Sequence, residues 1–403
     1  MIKFLNDYID GLKNKDEVFN TLLTYSNDDN PNKINSTIGS LFDENHQLIA
    51  YKSVYDSFRN LSNQAYAKYP ASLKGNREFL DAIYSFVTDN HIHLAHKEIA
   101  TIGGTGALSI AMMNYLNKGE TIIIPDIAWS AYKLMANTFN LQTLEYEMFN
   151  IDDLLKKITV VAKKQGKVVI LINDPAQNPT GCSMSKDEWI KIIDKLNNLN
   201  QNIPIVIIND IAYIDYCFDE HAKDYFDEFN RLNENITLHL AYSLSKSFTF
   251  YGQRGGAAII CNKNPQHVEN IINAFEKSLR STTSCANNAL MLTFTDVYNH
   301  KLPHYQQELN EAKNILKMRA EKFITQARSV NLELYPYSDG FFITIKLSDN
   351  EIVNKVHQEL MKQHIYVVKV NRGLRVAICS ISLSELDNLA LNIKKIITKI
   401  LSL

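Results

Sequence analysis

The sequence predicts an α/β fold, in which a large, mainly parallel sheet is covered on both faces by helices and a smaller α+β part lies beside it. Two observations carry this. Between about residue 98 and residue 260, short β-branched apolar runs alternate with longer amphipathic stretches, the pattern of buried parallel strands and the helices that cross between them. After about residue 295 the texture changes to one long charged helical stretch, three further apolar runs and a final helix.

The strand runs are residues 121–124 (TIII), 168–172 (VVILI), 205–208 (IVII), 238–241 (LHLA) and 257–260 (AAII). Segments between them, such as 186–199, carry helical apolar spacing, so a sheet covered on both sides is the economical arrangement. In the second part, 305–328 reads as a helix, FFITIKL at 341–347, VVKV near Val370 and RVAIC from Arg375 read as strands, and a last helix is expected from Leu383. The division predicted is a large domain over 36–294 and a small domain formed by 1–35 with 295–403. A chain of 403 residues is too long for one small core.

Composition narrows the function class. Hydrophobic residues make up 45% and charged residues 21%, with a formal net charge of -2, which suits a globular enzyme rather than a disordered or fibrous chain. Nucleic acid and anionic membranes both require concentrated Lys and Arg, so neither is the expected partner. The five cysteines are scattered and lack CxxC spacing, which indicates neither a disulfide framework nor a metal site and suits a reducing cytoplasm. The first twenty residues mix charges into every turn and do not read as a signal peptide.

Four segments carry candidate chemistry. In residues 101–106 (TIGGTG), ahead of a helix expected over 107–117, glycines and free helix N-terminal N–H groups can cradle a phosphate, although a tight turn reads equally well. Residues 173–181 (NDPAQNPTG) follow a buried strand, where α/β sheets bind ligands, and they also read as an ordinary turn before the next helix. Asp210 stands immediately after the IVII run, where a buried carboxylate needs a cation or a dedicated donor, or else caps a helix. Lys246, in YSLSK, follows another strand, with Arg254 and a glycine pair beyond it. A lysine so placed can bind a carbonyl covalently near an anchored phosphate, while lysines are more often solvated surface groups.

Taken together and in this order, GGTGAL, a Trp after the next strand, NPTG, DxAY, SxxK and RxG closely resemble the fold-type I pyridoxal 5′-phosphate (PLP) enzymes. More narrowly, they resemble the class I aminotransferases that act on aspartate and aromatic amino acids. The resemblance runs from about Ile34 to Cys379. It implies a large, mainly parallel seven-stranded domain, a smaller α+β domain, and transfer of amino groups between L-amino acids and 2-oxo acids.

Residue by residue, the resemblance implies that Lys246 binds PLP and moves the substrate α-proton. Asp210 would keep the pyridine nitrogen protonated, Asn178 and Tyr213 would bond the ring's phenolic oxygen, and Trp129 would stack on the ring. Gly104, Thr105, Ser243 and Arg254 would hold the phosphate. Arg375 would grip the substrate α-carboxylate, a task suited to a planar, bidentate donor. Gly39 would belong to a segment that closes near that carboxylate. Tyr69 would reach the phosphate of a second subunit, making a homodimer with shared sites. Arg280 stands at the separation from Lys246 expected of the arginine that reads a distal carboxylate, although RSTTSCANN departs from the family pattern there. A decarboxylase or lyase of the same fold, such as an aspartate 4-decarboxylase, is the rival reading, because the same cradle serves several reactions.

Overall fold

The computed structural model describes residues 17–402, so the N-terminal stretch read against a signal peptide lies largely outside the described residues. The strands, in chain order, are β1 Ile34–Ser36, β2 Ala95–Ile102, β3 Thr121–Pro125, β4 Gln142–Tyr146, β5 Val168–Asn173, β6 Ile205–Asp210, β7 Ile236–Ser243, β8 Gly255–Asn262, β9 Phe342–Lys346, β10 Ile365–Val370 and β11 Gly373–Ala377. They form a seven-stranded sheet in the order β2-β8-β7-β6-β5-β3-β4 and a four-stranded sheet in the order β1-β10-β11-β9. In the large sheet β3 to β7 pair in parallel, and β8 runs antiparallel to both its neighbours.

All five predicted runs lie in the large sheet. Their continuous apolar character has a direct cause: Val168, Ile170 and Ile172 enter one hydrophobic core, while Val169 and Leu171 enter the core on the opposite face. Every residue of β5 to β8 is buried. Side chains of period two with both faces covered favour apolar residues along the length of each strand. The crossing helix Lys186–Asn197 begins where Ser185 and Glu188 form a reciprocal capping box, a device worth about 1 kcal/mol.

Register brings the chemistry to one edge. Asn173 at the end of β5 pairs with Asp210 at the end of β6, and Asp210 pairs with Ala241 of β7. Ser243, the last residue of β7, pairs with Gly256. The strand ends thus open together onto the crevice where α/β sheets hold ligands.

Three sequence boundaries shift. Asp210 is the last residue of its strand rather than the first after it. The helix expected from Ala107 already begins at Gly103, so the glycines form its first turn rather than a preceding loop. The last helix begins at Leu389, not Leu383, because Asn388 takes a left-handed φ of 60° and interrupts the helical path. Among the described residues, no helix is long and apolar enough to cross a membrane.

Candidate active site

At the strand ends lies a cavity of about 220 Å³. The large sheet and its loops contribute Asn178, Asp210, Tyr213, Ser243, Lys246 and Arg254, while Arg375 comes from β11 of the second sheet. Gly39, Gly104, Thr105 and Trp129 also face this space. Residues separated by up to hundreds of positions therefore share one small volume.

One end of the cavity is built to take an anion. The helix Gly103–Tyr115 points its N-terminus there, where first-turn N–H groups have no intrahelical acceptor. Arg254 donates from Nη1 to Ser245 Oγ and to the Tyr251 carbonyl, both at 2.9 Å. Two glycines let these parts meet. A Cβ on Gly103, whose φ is 69°, would lie 2.7 Å from Arg254 Nη2, and one on Gly104 would lie 3.0 Å from Ser243 Cβ. Any side chain at either position would push the guanidinium or the serine off the helix end.

At the other end sits a buried carboxylate. Asp210 accepts a 2.6 Å hydrogen bond at Oδ2 from the Tyr132 hydroxyl and a 3.1 Å bond at Oδ1 from the Ala212 N–H. Burial pushes its carboxyl up to about 6, and these two donors oppose the shift. Beside it, burial raises the Tyr213 phenol well above its usual range, with Arg375 and an Asn178 hydrogen bond pulling the other way.

Lys246 occupies the short helix Leu244–Ser247 that directly follows β7. Its ammonium donates to the Gly39 carbonyl. Burial lowers its pKa to about 8; the nearby Arg375 and Arg254 push the same way and Cys379 opposes them. A desolvated ammonium facing two guanidiniums gives up its proton more readily, which is the condition for an amine that must act as nucleophile and base near neutral pH.

The loop after β5 is no ordinary turn. Asn173 donates from Nδ2 to the Asp210 carbonyl and accepts from the Asn178 N–H, each at 2.8 Å. Gln177 donates to the Ile127 carbonyl and accepts from Thr180. The side chain of Asn178 then accepts from Arg375 Nη1 at 3.1 Å. Arg375 also donates to the Thr37 carbonyl, and its guanidinium lies 4.2 Å from the centroid of the Phe342 ring. Held on three sides, the guanidinium presents a fixed planar fork.

Two expected site residues are not in this cavity. Tyr69 is 78% exposed, and Arg280, also exposed, bonds Ser284 at the end of the helix Pro265–Thr282. Conversely, the sequence reading missed Tyr132, Phe342 and the pair Val18 and Phe19 of the helix Glu17–Ser26, all of which line the cavity. Tyr132 had one local signal: it stands three positions beyond Trp129, at the start of the helix Ala131–Thr138, and such spacing shares a helix face.

Residues 31–393 match the family of class I and II aminotransferases. The chain belongs to that family. It is an aminotransferase that uses pyridoxal 5′-phosphate. The family match favours transamination over the decarboxylase or lyase reading. The cytoplasmic aspartate aminotransferase of Dictyostelium discoideum is 24% identical over 365 residues, covering 86% of this chain and 82% of that protein. An aminotransferase structure from Anaerococcus prevotii superposes with a TM-score of 0.92 at 26% identity, covering 99% of both chains. The aromatic-amino-acid aminotransferase of Burkholderia pseudomallei, solved covalently bound to pyridoxal phosphate, shares the fold with a TM-score of 0.79 at 18% identity, covering 98% of this chain and 100% of that one.

The donor set of the cavity fits this cofactor. An anion cradle stands at one end for the phosphate, a buried carboxylate at the other for a ring cation, and a lysine of lowered proton affinity between them for the aldehyde.

Proposed function

We propose that this aminotransferase moves amino groups between aspartate, glutamate or an aromatic L-amino acid and a 2-oxo acid, with PLP carried on Lys246. The observation that carries the reading is the convergence of Lys246, Asp210, Asn178, Tyr213, Arg254 and Arg375 on one cavity. Lys246 anchors the cofactor, and Gly104, Thr105, Ser243 and Arg254 hold its phosphate. Tyr213 and Asn178 bond the phenolic oxygen, and Trp129 covers the ring face.

Bound PLP supplies an electron sink into which the bond to an amino acid's α-proton can empty. Asp210 holds the proton on the ring nitrogen, because an ionised carboxylate buried beside it favours the cationic form. Arg375 binds the substrate α-carboxylate through its planar fork and fixes the α-carbon over Lys246. Lys246 would hold the cofactor and, once free, would take the substrate α-proton at its Nζ; its lowered pKa suits a base working near neutrality. Gly39 and its segment close over this end, with the Gly39 carbonyl already on the lysine.

The enzyme works as a cytoplasmic homodimer, with a large cofactor-binding domain over 36–294 and a small domain formed by 1–35 and 295–403. What supports the dimer is the exposure of Tyr69, which from a second subunit reaches the phosphate. Arg280 reads a side-chain carboxylate.

Borohydride reduction of the holoenzyme followed by peptide mapping tests the assignment. The cofactor is expected on Lys246, and a label on any other lysine overturns it.

A further inference from the structure

We infer that Tyr132 is a positioning residue for this enzyme: its phenol acts through Asp210, aiming that carboxylate and keeping it ionised for the cofactor's ring nitrogen. The inference deepens the proposed function and rests on the assignment of Asp210 to that nitrogen.

The geometry is specific. Tyr132 is fully buried, its ring meets Trp129 edge-on at 5.6 Å and 83°, and its hydroxyl donates to Asp210 Oδ2 at 2.6 Å. The ring packs in the same core as Leu108, Ile124 and Leu171, so the hydroxyl cannot swing to another acceptor. Asp210 Oδ1 takes the Ala212 N–H. Two neutral donors, one on each oxygen, thus fix the plane of the carboxylate.

Besides Asp210, the ionisable groups that act on the Tyr132 hydroxyl are themselves phenols, while Lys246, Arg254 and Arg375 line the same cavity. Tyr132 comes from the helix Ala131–Thr138, Tyr213 from the segment after β6, and Tyr146 from the end of β4. Burial raises each of them further, so each keeps its proton throughout the working pH range. A phenol in this position is therefore a donor at every pH the enzyme meets, whereas an imidazole would titrate. The donation has something to oppose. Burial drives the Asp210 carboxyl upward, and a protonated carboxyl could no longer hold a positive charge on the ring nitrogen.

Tyr132→Phe removes one oxygen and keeps the ring. In the cofactor-free protein, the carboxyl stretch of Asp210 is isolated by infrared difference against Asp210→Asn and titrated with pH. A hydrogen bond to a charged group is worth about 1.5–3 kcal/mol, so the midpoint is expected to rise by about one pH unit or more in Tyr132→Phe. Site-specific 3-fluorotyrosine at position 132, a stronger donor, is expected to lower it. In the holoenzyme, Tyr132→Phe is expected to lower kcat by about two- to tenfold at pH 7 with little change in KM. That loss shrinks as pH rises, since a carboxyl of raised pKa ionises again; a merely structural defect would not recover.

Midpoints that stay put in both variants overturn the inference, as does a loss of kcat that pH does not change. The two assignments fail separately. Near-normal turnover in Asp210→Asn sinks the role of Asp210, while an inactive Asp210→Asn beside a normal Tyr132→Phe sinks only the role of Tyr132.

Discussion

The wall of the cavity made by the large sheet is buried and bonded within the chain, whereas Tyr69 and Arg280, the two expected site residues outside it, stand in solvent. Asp210, Lys246 and Arg254 each meet side-chain or backbone partners inside the protein, and burial shifts all three. Tyr69 and Arg280 are exposed, and Arg280 bonds only as far as Ser284, four positions on. The difference separates two kinds of work. Changing proton affinity requires a desolvated site, where charges interact strongly. Reaching into another subunit requires a side chain left free on the surface. Tuned proton affinity accordingly belongs to the buried wall.

The largest effect should come from the buried wall. Lys246→Ala removes both the covalent anchor and the base, so kcat is expected to fall by more than about 10³-fold, measured in a coupled assay with 2-oxoglutarate. Activity within tenfold of the parent enzyme would place the chemistry elsewhere. Asp210→Ala should follow, with turnover down about 10²- to 10³-fold while PLP still binds through the phosphate cradle. Equilibrium dialysis of the cofactor checks the second half of that statement, and loss of binding would mean that Asp210 holds the site together rather than tuning it.

A paired substitution sharpens the contrast between wall and surface. Arg375→Ala is expected to lower kcat/KM for every amino acid, because each brings an α-carboxylate. Arg280→Ala should weaken aspartate selectively, by about 2–5 kcal/mol if the carboxylate is desolvated against it, and leave phenylalanine and tyrosine nearly unchanged. Equal losses for aspartate and phenylalanine in Arg280→Ala would make that arginine structural and remove the support for a dicarboxylate preference.

The smallest effect concerns stability without cofactor. The Asp210 carboxyl is raised from 3.8 to about 6, so the folded chain binds the extra proton and is favoured below the unfolded value. That advantage is lost as pH rises through the folded value. Above about pH 6 the fold carries a buried charge costing at most about 3 kcal/mol. Asp210→Asn should therefore unfold at higher urea than the parent protein at pH 7.5, and the gain should vanish near pH 4. A gain equal at both pH values would show that the carboxylate is not strained by burial.

The alternation of apolar runs located five strands of the large sheet to within a few residues, because a sheet covered on both faces leaves a continuous hydrophobic signature. Local chemistry was equally legible in NPTG, SxxK and RxG, since short loops at strand ends keep their residues together in sequence. The helix start at Gly103 and the late start at Leu389 were not. The first depends on Ser243 and Arg254 packing against glycines far away in the chain, and the second on a single left-handed residue, Asn388.

By itself, then, the sequence determined the fold class and the family, and it pointed to Lys246, Asp210 and Arg375 as candidate site residues. Only the tertiary structure decided how those side chains are tuned. Tyr132 and Asp210 lie 78 positions apart and meet through the packing of a helix on strand ends. Asn178 and Arg375 lie 197 positions apart and meet where the two sheets adjoin. Hydrogen bonds of this kind have no period and no motif, because register and packing, not spacing along the chain, bring donor to acceptor.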